Sequence, residues 1–127
     1  MKTIGILTSG GDAPGMNAAI RSVVRSACHE GLNVIGIHRG YYGLLHQDVS
    51  TLDSNAVSCI VQQGGTLLYT ARCQEMYQPE GIATAVSNAK KLGIDGLVVI
   101  GGDGSFAAAA KLCQAGLPTV GIPGTID

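Results

Sequence analysis

Apolar positions follow two rhythms along this chain. Ile4 to Leu7 is a short apolar run ending in a glycine cluster, the mark of a strand buried on both faces that feeds a turn. Downstream, Met16, Ala19, Ile20, Val23, Val24 and Ala27 recur at three- and four-residue steps, which lines one face of a helix. Pro14 suits the first turn of that helix and Gly31 its stop. Val34 to Ile37 reads as a second strand, Pro79 to Leu92 as a helix closed by Gly93, and Leu97 to Ile100 as a buried strand. A helix from about Ser105 to Ala115 closes at Gly116, and Thr119 to Ile122 forms the last strand. Gly40 to Arg72, rich in Gly, Gln and Ser, shows no readable period. Strands alternating with helices imply right-handed crossovers and a parallel sheet covered on both faces.

Composition narrows the class. At 127 residues the chain is one domain by length. Apolar residues at 46%, charged ones at 13% and 19 glycines without a fibrous period exclude disorder and collagen-like repeats. Eight Lys and Arg against nine Asp and Glu give no electrostatic footprint for nucleic acid or an anionic membrane. Cys28, Cys59, Cys73 and Cys113 form no CxxC pair and His29, His38 and His46 no ligand spacing, so reduced thiols in a cytoplasmic protein are expected. The first apolar run is too brief for a signal sequence or a membrane span.

The chemistry gathers where strands end. Gly10-Gly11-Asp12, Gly101-Gly102-Asp103-Gly104-Ser105 and Pro123-Gly124-Thr125-Ile126-Asp127 are three glycine-rich turns, each with an aspartate, each following a predicted strand. Ligands in an open parallel sheet collect beyond the carboxyl ends of strands, so these turns can line one crevice. Glycine lets backbone amides reach phosphate oxygens, and a helix starting after the turn adds partial positive charge. A carboxylate beside phosphates calls for a divalent cation between them, which points to a nucleoside triphosphate with Mg²⁺ and to Asp103 as its ligand. The bland reading is that Asp103 only makes a turn or caps the next helix.

Two nucleotide fingerprints can be weighed against this. Gly10 and Gly15 match the outer glycines of a Walker A pattern, but Met16 and Asn17 stand where Lys and Ser or Thr are needed, which excludes a P-loop NTPase. Gly102 to Ala107 matches GxGxxA after a strand, with Asp127 about twenty residues on, in outline the NAD-type dinucleotide fingerprint of an oxidoreductase. There Asp103 would face a pyrophosphate with no cation, and the fingerprint normally sits at the first strand, so this reading ranks below that of a nucleoside triphosphate with Mg²⁺. A nucleotide-sensing module without catalysis is a third.

Four motifs taken together resemble bacterial phosphofructokinase in order and spacing: Thr8 to Ala18, Tyr69-Thr70-Ala71-Arg72-Cys73, Gly101 to Ser105, and Pro123 to Asp127. The resemblance implies a Rossmann-like three-layer α/β sandwich with a mostly parallel sheet, the N-terminal ATP-binding domain of a two-domain kinase. It implies a Mg²⁺-dependent transfer from ATP to fructose 6-phosphate, with Asp127 as general base and Asp103 holding the metal. Gly11 would offer its amide, Arg72 its guanidinium and Thr125 its hydroxyl to the transferring phosphoryl group. Cys73 and Gly102, Asp103, Gly104 and Ser105 would line the ATP pocket, with Tyr41 close by. Glycine at 104 and 124 favours ATP, because relatives that use pyrophosphate carry an acidic residue and a lysine there.

The same resemblance gives Arg21 and Arg25, four apart on the first helix, to ADP or another phosphorylated effector. Ser54 and Gln63 stand where relatives often carry arginine, and Tyr77 where a basic residue is usual, which sets regulation apart from the family pattern. A full-length homotetramer is expected, with a sugar-phosphate domain outside residues 1–127. The chain alone is expected to show little or no turnover.

Overall fold

The computed structural model describes residues 2–9, 16–53, 68, 70 and 73–124. Five strands and four α-helices lie in them: β1 (Thr3–Thr8), α1 (Met16–His29), β2 (Asn33–Ile37), α2 (Tyr41–His46), β3 (Val49–Leu52), α3 (Pro79–Lys91), β4 (Gly96–Gly101), α4 (Asp103–Gln114) and β5 (Thr119–Pro123). A 3-10 turn, Gln74–Tyr77, precedes α3. The sheet runs in the order β3-β2-β1-β4-β5. β1 is parallel to β2 and β4, and β4 to β5. β3 pairs antiparallel with β2 at the edge. The expected three-layer, mostly parallel α/β sandwich is therefore what the chain forms.

Strand parity sorts the core into two layers, because successive side chains point to opposite faces. Ile4, Ile6, Val34 and Ile100 pack with Met16, Ile20, Val24 and Ala27 of α1 on one face. Leu7, Ile37, Leu97 and Val99 pack on the other with α2, α3 and α4. The buried α1 positions follow the helical spacing expected of them, with Asn17 added.

Three helices stop in the same way. Gly31, Gly93 and Gly116 adopt φ of +79°, +76° and +104°, the left-handed region that favours glycine. In each case the glycine amide and the next amide reach back into the last turn: Gly31 to Cys28 and Leu32 to Ala27, Gly93 to Lys90 and Ile94 to Ala89, Gly116 to Cys113 and Leu117 to Leu112. This pair of bonds is the Schellman motif, and Leu32, Ile94 and Leu117 supply its apolar contact.

Two expectations need correction. α4 begins at Asp103, not near Ser105, with Gly102 as N-cap. The stretch without a readable period holds α2 and β3. α2 has only six residues, under two turns, and ends at Gln47 with φ +58°, where no glycine announces the stop.

Candidate functional site

β1 and β4 are neighbours, yet the chain leaves β1 toward β2 on one side and leaves β4 toward β5 on the other. That reversal opens a crevice beyond the carboxyl ends of the two strands, the position where open α/β sheets bind ligands. The described ends of the three glycine turns meet there. The Ser9 amide donates to the Ile100 carbonyl at 2.8 Å, and the Gly124 amide to the Gly101 carbonyl at 3.0 Å. A Cβ added at Gly101 would stand 2.7 Å from the Ser9 carbonyl oxygen and 2.7 Å from Ser105 Oγ. One at Gly124 would meet Met16 Cε at 3.1 Å, so the turns after β1, β4 and β5 share one locus.

Gly102 and Gly104 behave differently. Neither has a positive φ, and among the described residues nothing lies within 4 Å of a Cβ built on Gly102 and only the Tyr77 hydroxyl, at 3.9 Å, lies near one on Gly104. Folding of the described residues gives no reason for glycine at either place, but the open space does. Gly102 lacks a side chain to cap α4, and the first intrahelical bond runs from the Phe106 amide to the Gly102 carbonyl at 3.0 Å. The amides of Asp103, Gly104 and Ser105 therefore have no acceptor within the helix. Unpaired amides at a helix start, under a side-chain-free surface, attract an anion.

Asp103 is exposed as the first residue of α4, so the capping role of the bland reading is not the one it fills. Among the described residues no group of three or more His, Cys, Asp and Glu stands together as a metal site. One carboxylate beside anion-binding amides fits a cation whose remaining ligands are phosphate oxygens and water, the arrangement Mg²⁺ prefers.

Ser105 is buried, and its carbonyl accepts a 2.8 Å hydrogen bond from the Tyr41 hydroxyl. Tyr41 is 4% exposed, and burial pushes its phenol far above the usual range, so it stays a donor. Cys73 is half-buried at the entry to the 3-10 turn. Burial, then the Glu75 charge, pushes its thiol up. Tyr77, 64% exposed, ends that turn next to Gly104. A separate open cleft of about 370 Å³, lined by Leu45, His46, Glu75, Gln78, Glu80, Gly81 and Thr84, includes no residue of the 102–105 turn.

Arg21 and Arg25 lie on α1, which covers the opposite face of the sheet from α4. The buried Nε of Arg21 has no hydrogen-bond partner among the described residues. Gly11, Arg72, Thr125 and Asp127, with Ser54 and Gln63, lie outside the described residues. Sequence reasoning missed Asn88. It is buried in α3 among Ile82, Ala85, Val86 and Ala89, and an amide on an apolar helix face was the available signal.

Comparisons with known proteins agree with this geometry. The family model described as phosphofructokinase matches residues 3–127. An ATP-dependent 6-phosphofructokinase of Halalkalibacterium halodurans is 58% identical over 127 residues, all of this chain and 40% of that protein. The enzyme of the same name from Clostridioides difficile is 60% identical over the same shares. The chain thus spans about 40% of the length of these curated relatives. Among solved structures, Pichia pastoris phosphofructokinase in the T-state superposes with a TM-score of 0.93 at 38% identity, covering 99% of this chain and 15% of that one.

Proposed function

The chain belongs to the phosphofructokinase family, and from that premise we propose that it is the N-terminal, ATP-binding part of an enzyme that phosphorylates fructose 6-phosphate. The observation that carries this reading is the open, side-chain-free surface of Gly102 and Gly104 over the free amides that start α4. A polyphosphate fits there in charge and shape. No observation favours the dinucleotide or the non-catalytic reading, and the relatives are named as kinases of the ATP-dependent kind.

In this mechanism the amides of residues 103 to 105 hold the phosphates of ATP, and the Gly104 and Gly124 positions leave room for the rest of the nucleotide. Asp103 would hold Mg²⁺, which would supply charge neutralisation for the phosphates. Asp127 takes the proton of the sugar C1 hydroxyl, whose oxygen bonds to the γ-phosphorus as the bond to the β,γ-bridging oxygen breaks. The products are fructose 1,6-bisphosphate and ADP, the committed step of glycolysis. Arg72, Thr125 and the Gly11 amide balance charge on the moving phosphoryl group, a service worth about 10³ to 10⁵ in rate for an arginine. The sugar-phosphate domain, a homotetrameric assembly in the cytoplasm, and an effector phosphate at Arg21 and Arg25 complete the proposal.

Calorimetric titration of the chain with ATP and with NAD, each with and without Mg²⁺, tests the reading. ATP affinity is expected to rise with Mg²⁺, and Asp103→Ala to remove that gain, about 10- to 100-fold for one charge-assisted contact. Affinity indifferent to both Mg²⁺ and Asp103, or tighter binding of NAD, would sink it.

A further inference from the structure

α2 is too short to be stable by itself, so something must hold it. At its end, buried Asn88 of α3 donates both Nδ2 hydrogens to backbone carbonyls of the last turn, Leu44 at 3.0 Å and Leu45 at 2.9 Å. Its Oδ1 accepts from Gln47 Nε2 at 3.4 Å. These carbonyls are among the groups a helix end leaves unpaired. At the start of α2, the Tyr41 hydroxyl donates to the Ser105 carbonyl at 2.8 Å. α2 thus runs as a tie from the last turn of α3 to the first turn of α4.

Ser105 is where that tie meets the crevice, since its amide is one of the three left unpaired at the start of α4. Asn88 is 5% and Tyr41 4% exposed, so both are sunk in the layer behind the open surface. The Ser105 carbonyl also serves the helix, so the tyrosine bond is not needed to satisfy it, and its consequence is geometric. A first turn that already rests on the sheet through Ser105 at Gly101 and Phe106 at Gly121 gains a tether from the opposite side, which fixes its height. Gly43 lets α2 pack against the backbone that flanks it, because a Cβ there would overlap the His38 carbonyl oxygen.

We infer that Asn88 and Tyr41 are positioning residues for the nucleotide: Asn88 fixes α2, and Tyr41 fixes the anion-binding amides of α4 through Ser105. This rests on the reading of the crevice as the ATP site, while the tie itself can be tested without any ligand. Among the described residues the tie meets the crevice at the 103–105 turn, on the nucleotide side.

The experiment compares the chain with Tyr41→Phe, Asn88→Ala and the control Tyr42→Phe by amide hydrogen exchange without ligand and by Mg-ATP titration. Tyr41→Phe keeps the ring and is expected to keep the melting temperature within about 3 °C. Exchange should rise in residues 103–107 and not in β1 or α1, with Mg-ATP affinity falling roughly five- to tenfold, the worth of one hydrogen bond. Asn88→Ala should raise exchange in α2 as well, with the same direction of change in affinity. Unchanged exchange at 103–107 in Tyr41→Phe overturns the inference, as does unchanged Mg-ATP affinity where exchange has risen. If the unmodified chain fails to bind Mg-ATP, the crevice reading falls instead, and the exchange pattern alone decides whether the tie exists.

Discussion

At one end of the sheet three helices stop and pass the chain to β2, β4 and β5; at the other, β1, β4 and β5 run out beside the crevice. Glycine crowds both ends, for unlike reasons. Gly31, Gly93 and Gly116 are glycine because the backbone turns left-handed there, with open space around each of them. Gly101 is glycine because the turn after β1 and the Ser105 side chain of its own turn leave no room for a methyl group. Gly102 and Gly104 have room to spare and ordinary φ angles, so neither folding reason applies. Subtracting conformation and packing from the glycine pattern leaves the positions kept bare for something outside the chain.

The largest expected effect that sharpens this contrast is at Gly101. Gly101→Ala puts a Cβ 2.7 Å from the backbone oxygen of Ser9, which side-chain rotation cannot relieve. Overpacking of this kind costs about 1 to 3 kcal/mol. Thermal melting should fall by roughly 5 to 10 °C, and Mg-ATP affinity should fall with it, since Ser9 and Ser105 are pushed apart. An unchanged melting temperature would mean the three turns are not locked together.

Next comes a pair predicted to move in opposite directions. Gly93→Ala meets no atom but keeps φ +76°, so it should cost about 1 kcal/mol in a denaturant melt and leave nucleotide affinity alone. Gly104→Ala replaces a helical glycine, with Tyr77 Oη at an ordinary 3.9 Å. It should hold or raise stability by up to about 0.5 kcal/mol, while Mg-ATP affinity drops about tenfold as the methyl group stands over the amides. If both substitutions shift stability alike and neither touches affinity, the distinction between the two ends collapses.

How much of this the sequence carried follows from the same physics. Helix stops were legible because Gly31, Gly93 and Gly116 each follow an apolar face that runs out. The strands β1, β2 and β4 were legible because burial on both faces writes a continuous apolar run, and β5 because Val120 and Ile122 keep a strand pattern although no residue of it is buried. α2 was not, because six residues hold less than two periods and Gln47 takes the left-handed position without glycine. β3 was not, because at the sheet edge Ser50 and Thr51 are exposed and only Leu52 is buried. The start of α4 was misplaced by two residues because Gly102 offers no capping side chain and Asp103-Gly104 has the composition of a turn. The crevice turns were legible as motifs, but the Asn88 and Tyr41 tie depends on pairs 44 and 64 residues apart, which no local pattern encodes.

The smallest effect lies at the end where the helices stop. There the Asp95 carboxylate accepts from the amides of Lys2 at 2.9 Å and Thr3 at 3.0 Å, fastening the start of β1 beside β4. Those two amides are the main reason its pKa lies below the usual carboxylate value, with the N-terminal and Lys2 charges adding to them. A depressed native value means the unfolded chain binds this proton first as pH falls. The carboxylate's contribution is therefore complete above the ordinary value near 4 and disappears as pH drops through the lower native one. Asp95→Asn should lower the melting temperature slightly at pH 7, and the gap from the unmodified chain should close as pH falls below the ordinary carboxylate value and through the lower native one. Because Asp95 is fully exposed, the gap should stay smaller than that of Gly93→Ala, and nucleotide affinity should not change. A gap that widens toward low pH would show that the amides of Lys2 and Thr3 do not favour the charged carboxylate, and that β1 is held at this end by its ladders with β2 and β4.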